Sequence, residues 1–255
     1  DAGTDVTLVG DIITTGAVTN GNGGEVTIDT VAGDVTVGVI EASGSGSGTS
    51  GLININANGA NSDLIVNDDL TTSGGDITLT ADDAIAFAAA ANVVSDGGNV
   101  LVRANQDAAA GNGIAAPTTT ANSINMVDGS SINSGTGTVT LRTDGANGGS
   151  ITSENITTAN GTVTVNAETS VSINGPVVSG GALVDIDAGT AVTSSADGDI
   201  TTTSGAADGA SGNVDIDAGT DVTLVGDIIT TGAVTNGNGG EVTIDTVAGD
   251  VTVGV

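Results

Sequence analysis

GGDITLTADDAIAFAAAANVVSDGGNVLVR, residues 74–103, decides the fold. Between the pairs Gly74–Gly75 and Gly97–Gly98 lie three short apolar runs. DITLT (76–80) and DAIAF (83–87) place an aliphatic or aromatic residue at every second position, and NVVSDGG (92–98) places two valines shortly before glycine. NVLVR (99–103) then restarts the first run, with Asn99 in the place that Asp76 held before. Alternation with a period of two marks a strand with one buried face. Glycines between such runs supply corners that need positive φ or close backbone approach. Three short strands that return so soon to their start describe one coil of a β-solenoid.

Working outward, the first run recurs as EVTID (25–29), LININ (52–56), TVTLR (138–142), TVTVN (162–166), LVDID (183–187), NVDID (213–217) and again EVTID (241–245). Eight units separate Glu25 from Glu241; the shortest runs from Thr162 to Leu183 and the longest from Asn99 to Thr138. A larger repeat encloses them, because residues 1–39 and 217–255 are identical at every position. Residues 1–216 are then one full tandem repeat and 217–255 the start of the next, a window on a longer array. The expected fold is therefore all-β, a parallel right-handed β-solenoid (β-helix) with three short strands per coil and about eight coils per period. Handedness follows from the general preference of parallel crossovers. The unit that begins at NVLVR is the long one; its extra residues, 104–122, are rich in Ala, Gly and Thr and read as an insertion protruding from a corner.

Composition agrees and excludes several functions. The chain has 42 Gly and 2 Pro, no Cys, His, Trp, Tyr or Lys, and one Phe. A thin interior filled by Val, Ile, Leu and Ala fits stacked coils better than a sandwich, which uses aromatics in its core. Thirty-one acidic residues against two arginines give a formal charge of −29. Nothing in that balance neutralises phosphate, so nucleic-acid binding is not expected. No apolar run reaches the roughly 18 residues of a spanning helix, and no membrane insertion by this segment is expected. High acidity without thiols suits a secreted, extracellular or cell-surface protein.

The rung GGDITLTA (74–81), the run INMVDGSSINSGTGTVTL (124–141) and GGALVDIDAG (180–189) resemble the repetitive β-solenoid regions of giant bacterial surface proteins, the filamentous-haemagglutinin-like adhesins. That resemblance implies a structural shaft in an extracellular fibre or filament, holding an adhesive tip away from the cell. Its partners would be identical repeats stacked end to end in the same or neighbouring chains, with possible lateral filament contacts. The alternative is an adhesin or matrix-binding module using the 104–122 protrusion.

No catalytic residue is expected. Some solenoids cleave polysaccharides, but this chain lacks Lys, His and Tyr, and the adjacent pairs Asp68/Asp69 and Asp82/Asp83 would point to opposite faces of a strand. No cofactor is required. Stacking at about 4.8 Å puts the last residue of each first run into one column: Asp29, Asn56, Thr80, Arg103, Arg142, Asn166, Asp187, Asp217, Asp245. Asp187, Asp217 and Asp245 repel one another there, which either bound calcium or simple salt screening would relieve. Arg103 and Arg142, the only cations, fall next to each other. Either each reaches an acidic neighbour, or together they form one cationic spot per period for lateral contact with another filament.

Overall fold

A computed structural model describes residues 2–105, 122–145, 148–206, 209–233 and 235–254. The described chain winds through three parallel sheets in turn, and each strand pairs with the strands three elements before and after it. The first sheet has ten strands, from Val6–Thr7 to Val251–Val253; the second has nine, from Ile12–Ile13 to Ile228–Ile229; the third has nine, from Val26–Asp29 to Val242–Thr246. This is a parallel β-solenoid with three strands per coil. Among the described residues no helix is long and apolar enough to cross a membrane.

The third sheet follows the alternation read from the sequence. Its strands pair in register from Val26 through Ile53, Ile77, Val100, Val139, Val163 and Val184 to Val214 and Val242. Successive partners are separated by the spacings found in the sequence, so the step from Val26 to its equivalent Val242 takes eight coils. Most of these strands run one residue further than the runs suggest, to a buried alanine at 57, 81, 104, 167, 188 or 218. The first sheet contributes two inward positions per coil. There the single Phe87 lies in register between Val66 and Met126, so the bulkiest side chain is stacked between two apolar neighbours.

The interior is not purely aliphatic, in contrast to what the composition suggests. At or just past the ends of the second-sheet strands, Thr72, Ser95, Ser134, Thr158 and Ser179 are buried in successive coils. Each hydroxyl donates to the carbonyl three residues on, at 2.5–2.6 Å, in Gly75, Gly98, Gly137, Gly161 and Ala182. The bond ties the corner together before the third sheet begins, and it satisfies a hydroxyl that would otherwise be costly to bury.

Glycine is required in the same corner. A Cβ on Gly137 would run into the carbonyl of Gly98 in the coil below, and one on Gly98 into that of Gly75. Backbone stacked on backbone leaves no room for a side chain. Gly137→Ala is therefore expected to cost about 1–3 kcal/mol. Gly10→Ala, where a Cβ would meet nothing within 4 Å, is expected to be near neutral. Denaturation of the two variants side by side checks the assignment; equal effects would refute it.

Candidate functional site: the outward column of the third sheet

In-register parallel pairing stacks like positions on like, and the column predicted from the sequence exists as read. Asp29 faces Asn56, Asn56 faces Thr80, Arg103 lies between Thr80 and Arg142, and Asn166 leads to Asp187, Asp217 and Asp245. The column falls into three chemically different stretches. At one end, Asn56 Nδ2 donates to Asp29 Oδ1 at 2.9 Å and Thr80 Oγ1 donates to Asn56 Oδ1 at 2.7 Å. Alternating donors and acceptors make that stretch a hydrogen-bonded ladder.

In the middle, the two arginines converge on Asp144, which lies just past the strand Val139–Thr143. Arg103 Nε bonds one carboxylate oxygen, and Arg142 Nη2 lies 2.8 Å from the other. Asp144 keeps only 12% of its side chain exposed, so this carboxylate is the better shielded member of the group. Of the two readings for the arginines, reaching an acidic neighbour is what their positions provide, and both reach the same one. Beside them a cleft of about 250 Å³ is lined by Thr140, Arg142, Asp144, Thr164, Asn166 and Glu168.

The far end is acidic. Asp185 faces Asp215, while Asp187, Asp217 and Asp245 stand in single file on the same sheet. Asn166 Nδ2 reaches Asp187 Oδ2 at 3.2 Å, which relieves only the first of them. Desolvation, then the charges of Asp187, Asp215 and Asp217, push the Asp185 carboxyl above its usual range. Desolvation, then Asp215, Asp187 and Asp245, do the same to Asp217. Among the described residues no three acidic side chains come together as a metal-holding group.

Several other acids have a role that sequence reasoning missed. Asp5, Asp34 and Asp63 each precede a strand of the first sheet, and each carboxylate accepts the backbone N–H of the equivalent corner one coil up, in Asp34, Asp63 and Ala84, at 2.9–3.0 Å. Asp76, Asp199 and Asp221 do likewise for Asn99, Asp227 and Asp250. The suspected pairs serve corners too: Asp69 accepts from Asn92, Asp82 from Gly59 and Asp83 from Asn122. The available signal was an Asp immediately before several of the alternating runs, as at Asp34, Asp76 and Asp221. Of the 104–122 insertion, residues 106–121 lie outside the described residues. Its anchors Ala104, Asn105 and Asn122 are buried against the coil, the two asparagines with φ of +55° and +70°.

The acidic file and the arginine pair respond differently to loss of a charge. A carboxyl whose folded pKa is raised favours the fold when protonated. Its contribution is complete below the unfolded value and is lost as pH rises through the raised folded value. Asp217→Asn should then stabilise the protein at pH 7 by about 0.2–1 kcal/mol, the scale of a solvent-screened like-charge pair on facing strands. The gain should shrink toward pH 4, as read from thermal melts, and sodium chloride should reproduce it as well as calcium at matched ionic strength. Conversely, Asp144→Asn leaves two facing arginines without their carboxylate and should cost about 1–2 kcal/mol. Adding Arg103→Gln should recover part of the loss; failure to do so would mean that repulsion between the arginines is not its cause.

No protein-family model, curated protein or solved structure matches the chain.

Proposed function

We propose that the chain is shaft material: a segment of an extracellular, cell-surface fibre whose tandem β-solenoid periods supply length and stiffness. One observation carries this reading. The identical stretches 1–39 and 217–255 fold into the same strands at both ends of the described chain, with Val26–Asp29 matching Val242–Thr246 and Val35–Val37 matching Val251–Val253. In the first copy they are covered by the coil above, and in the second they rest on the coil below. A coil of this sequence can therefore hold both neighbours at once, as an uninterrupted array needs. Stacked coils also resist bending and proteolysis, because the backbone pairs along the axis and few loops protrude.

The second reading, attachment through the 104–122 insertion or lateral contact through Arg103 and Arg142, draws on the one coil that is enlarged and on the only cations lying beside it. Calcium would act in either case only as a counter-ion along the acidic file.

Arrays of two, four and eight periods separate these possibilities. Under the shaft reading each period adds eight coils, roughly 38 Å at the usual strand spacing, and the particles stay straight in electron images. A flexible string of beads would overturn it. Deletion of residues 106–121 should leave length and straightness unchanged in a shaft but abolish binding to cells or matrix in an attachment module.

A further inference from the structure

The outward column of the third sheet carries its charges in blocks. Over five successive coils it reads Arg103, Arg142, Asn166, Asp187, Asp217, in register at every step. Read from the other end, the same positions run Asp, Asp, Asn, Arg, Arg. Two cations and two anions therefore lie at matching distances on either side of Asn166, because parallel pairing spaces the coils evenly at about 4.8 Å. Asn166 and Asp217 are exposed, and Arg142 keeps 42% of its side chain exposed although it also bonds Asp144. Asn166 reaches Asp187, whereas desolvation and neighbouring carboxylates hold Asp217 above its usual range.

We propose that this face is a self-docking surface: two copies lie antiparallel about a twofold axis at Asn166, so that Arg103 and Arg142 of each face Asp217 and Asp187 of the other. A twofold contact uses one patch on both copies and must be self-complementary, which this order of residues is. Asn166 meets Asn166, and a primary amide both donates and accepts, so the two can pair reciprocally. On the neighbouring outward column the same operation sets Thr140 opposite Asp185, Thr164 opposite Thr164 and Leu101 opposite Asp215. No carboxylate meets a carboxylate on either column. The cleft of about 250 Å³ lined by Arg142, Thr164 and Asn166 lies beside the axis, where the incoming Asp187 would seat.

Other arrangements of the same two faces are less favourable. Copies laid parallel and level set the aspartate files against each other. Copies laid parallel but displaced by three coils match Arg103 with Asp187 and Arg142 with Asp217. They make that contact once rather than twice, however, and leave the other two blocks unmatched. The patch is small. Five coils of five-residue strands cover about 300 Å² per copy at the usual strand spacing and rise, against the roughly 800 Å² per partner of a stable interface. Pairing of single chains is then weak and reversible, and contacts repeated through identical periods would add up. The inference rests on the lateral-contact reading of the arginines and is independent of the shaft reading.

Facing sheets lie about 10 Å apart, beyond disulfide reach, so a bismaleimide of that span is needed to trap the pair. The chain has no cysteine of its own. The test uses full-length protein in about 0.15 M sodium chloride, where a screening length of about 8 Å mutes repulsion between whole chains more than it weakens contacts. Asn166→Cys should crosslink to itself roughly tenfold faster than Asn125→Cys, an exposed position on the outward side of the first sheet. Adding Asp187→Arg with Asp217→Arg should remove that excess, and so should adding Arg103→Gln with Arg142→Gln. Mixing these two charge variants should restore it in part, as a heterodimer; melting curves of each alone establish that it is folded. Asn166→Cys no faster than Asn125→Cys, a rate unchanged by either charge variant, or no heterodimer from the mixture overturns the proposal and the lateral reading together. A charge-dependent product between Asn166→Cys and Asp245→Cys, in place of the Asn166 homodimer, overturns the twofold arrangement alone and leaves lateral contact standing.

Discussion

Each coil of this protein is held to the next by parallel, in-register backbone pairing, and nearly every other feature answers to that constraint. The pairing fixes the distance between coils, so whatever one coil places at a corner or on a face meets its counterpart at close range. Gly98 and Gly137 have no side chain because the next backbone occupies that space. Ser95 and Ser134 repeat one hydroxyl-to-carbonyl bond at the same corner. Phe87 can be accommodated because Val66 and Met126 lie above and below it. The dependence is nearest-neighbour, as expected of a one-dimensional fold.

How far such a fold can be read from sequence depends on which strands advertise themselves. The third sheet was legible in detail, to the register of Arg103 on Arg142, because its strands are long enough to show alternation and bury two adjacent inward aliphatics. The second sheet was less so: Leu70–Thr71 and Ile200–Thr201 are two residues long and carry no period. Ile151–Ser153 and Val192–Ser194 hid for another reason. Their second inward residue is a buried serine, which breaks the apolar pattern. Ser194 is kept there by a task the sequence does not reveal, accepting the N–H groups of Val225 and Gly226 at 3.0 Å. Asp144 was invisible as a partner of the arginines because it lies beyond the strand, where periodicity no longer says which way a side chain points.

The acidity read from the composition proves to be partly architectural. Asp34, Asp63 and Asp221 are acceptors for backbone N–H groups between coils, which a neutral aliphatic residue could not supply. At these corners a backbone N–H intervenes between one carboxylate and the next, although desolvation and the charges of Asp83 and Asp34 still push the Asp63 carboxyl above its usual range. The file of Asp187, Asp217 and Asp245 is different, since those carboxylates stack directly and no donor intervenes after Asn166. That stretch of the surface gives up stability, and it does so at the boundary where the sequence of residues 1–39 begins again.

Stacked coils that were all alike could slip past one another by a single coil at no cost, and register would be lost. Here the coils differ in length, from the short one that opens at Thr162 to the long one that opens at Asn99. They differ also in what they present outward, from aspartate through asparagine and threonine to arginine. A slip of one coil would therefore strain corners and set unlike columns together, which is specification against the wrong pairing. Only a displacement of eight coils restores every neighbour, because only then does the sequence repeat. The heterogeneity within a period and the identity between periods are thus two sides of one property. Within one period each coil has a single correct seat, and its equivalent in the next period fits that same seat equally well.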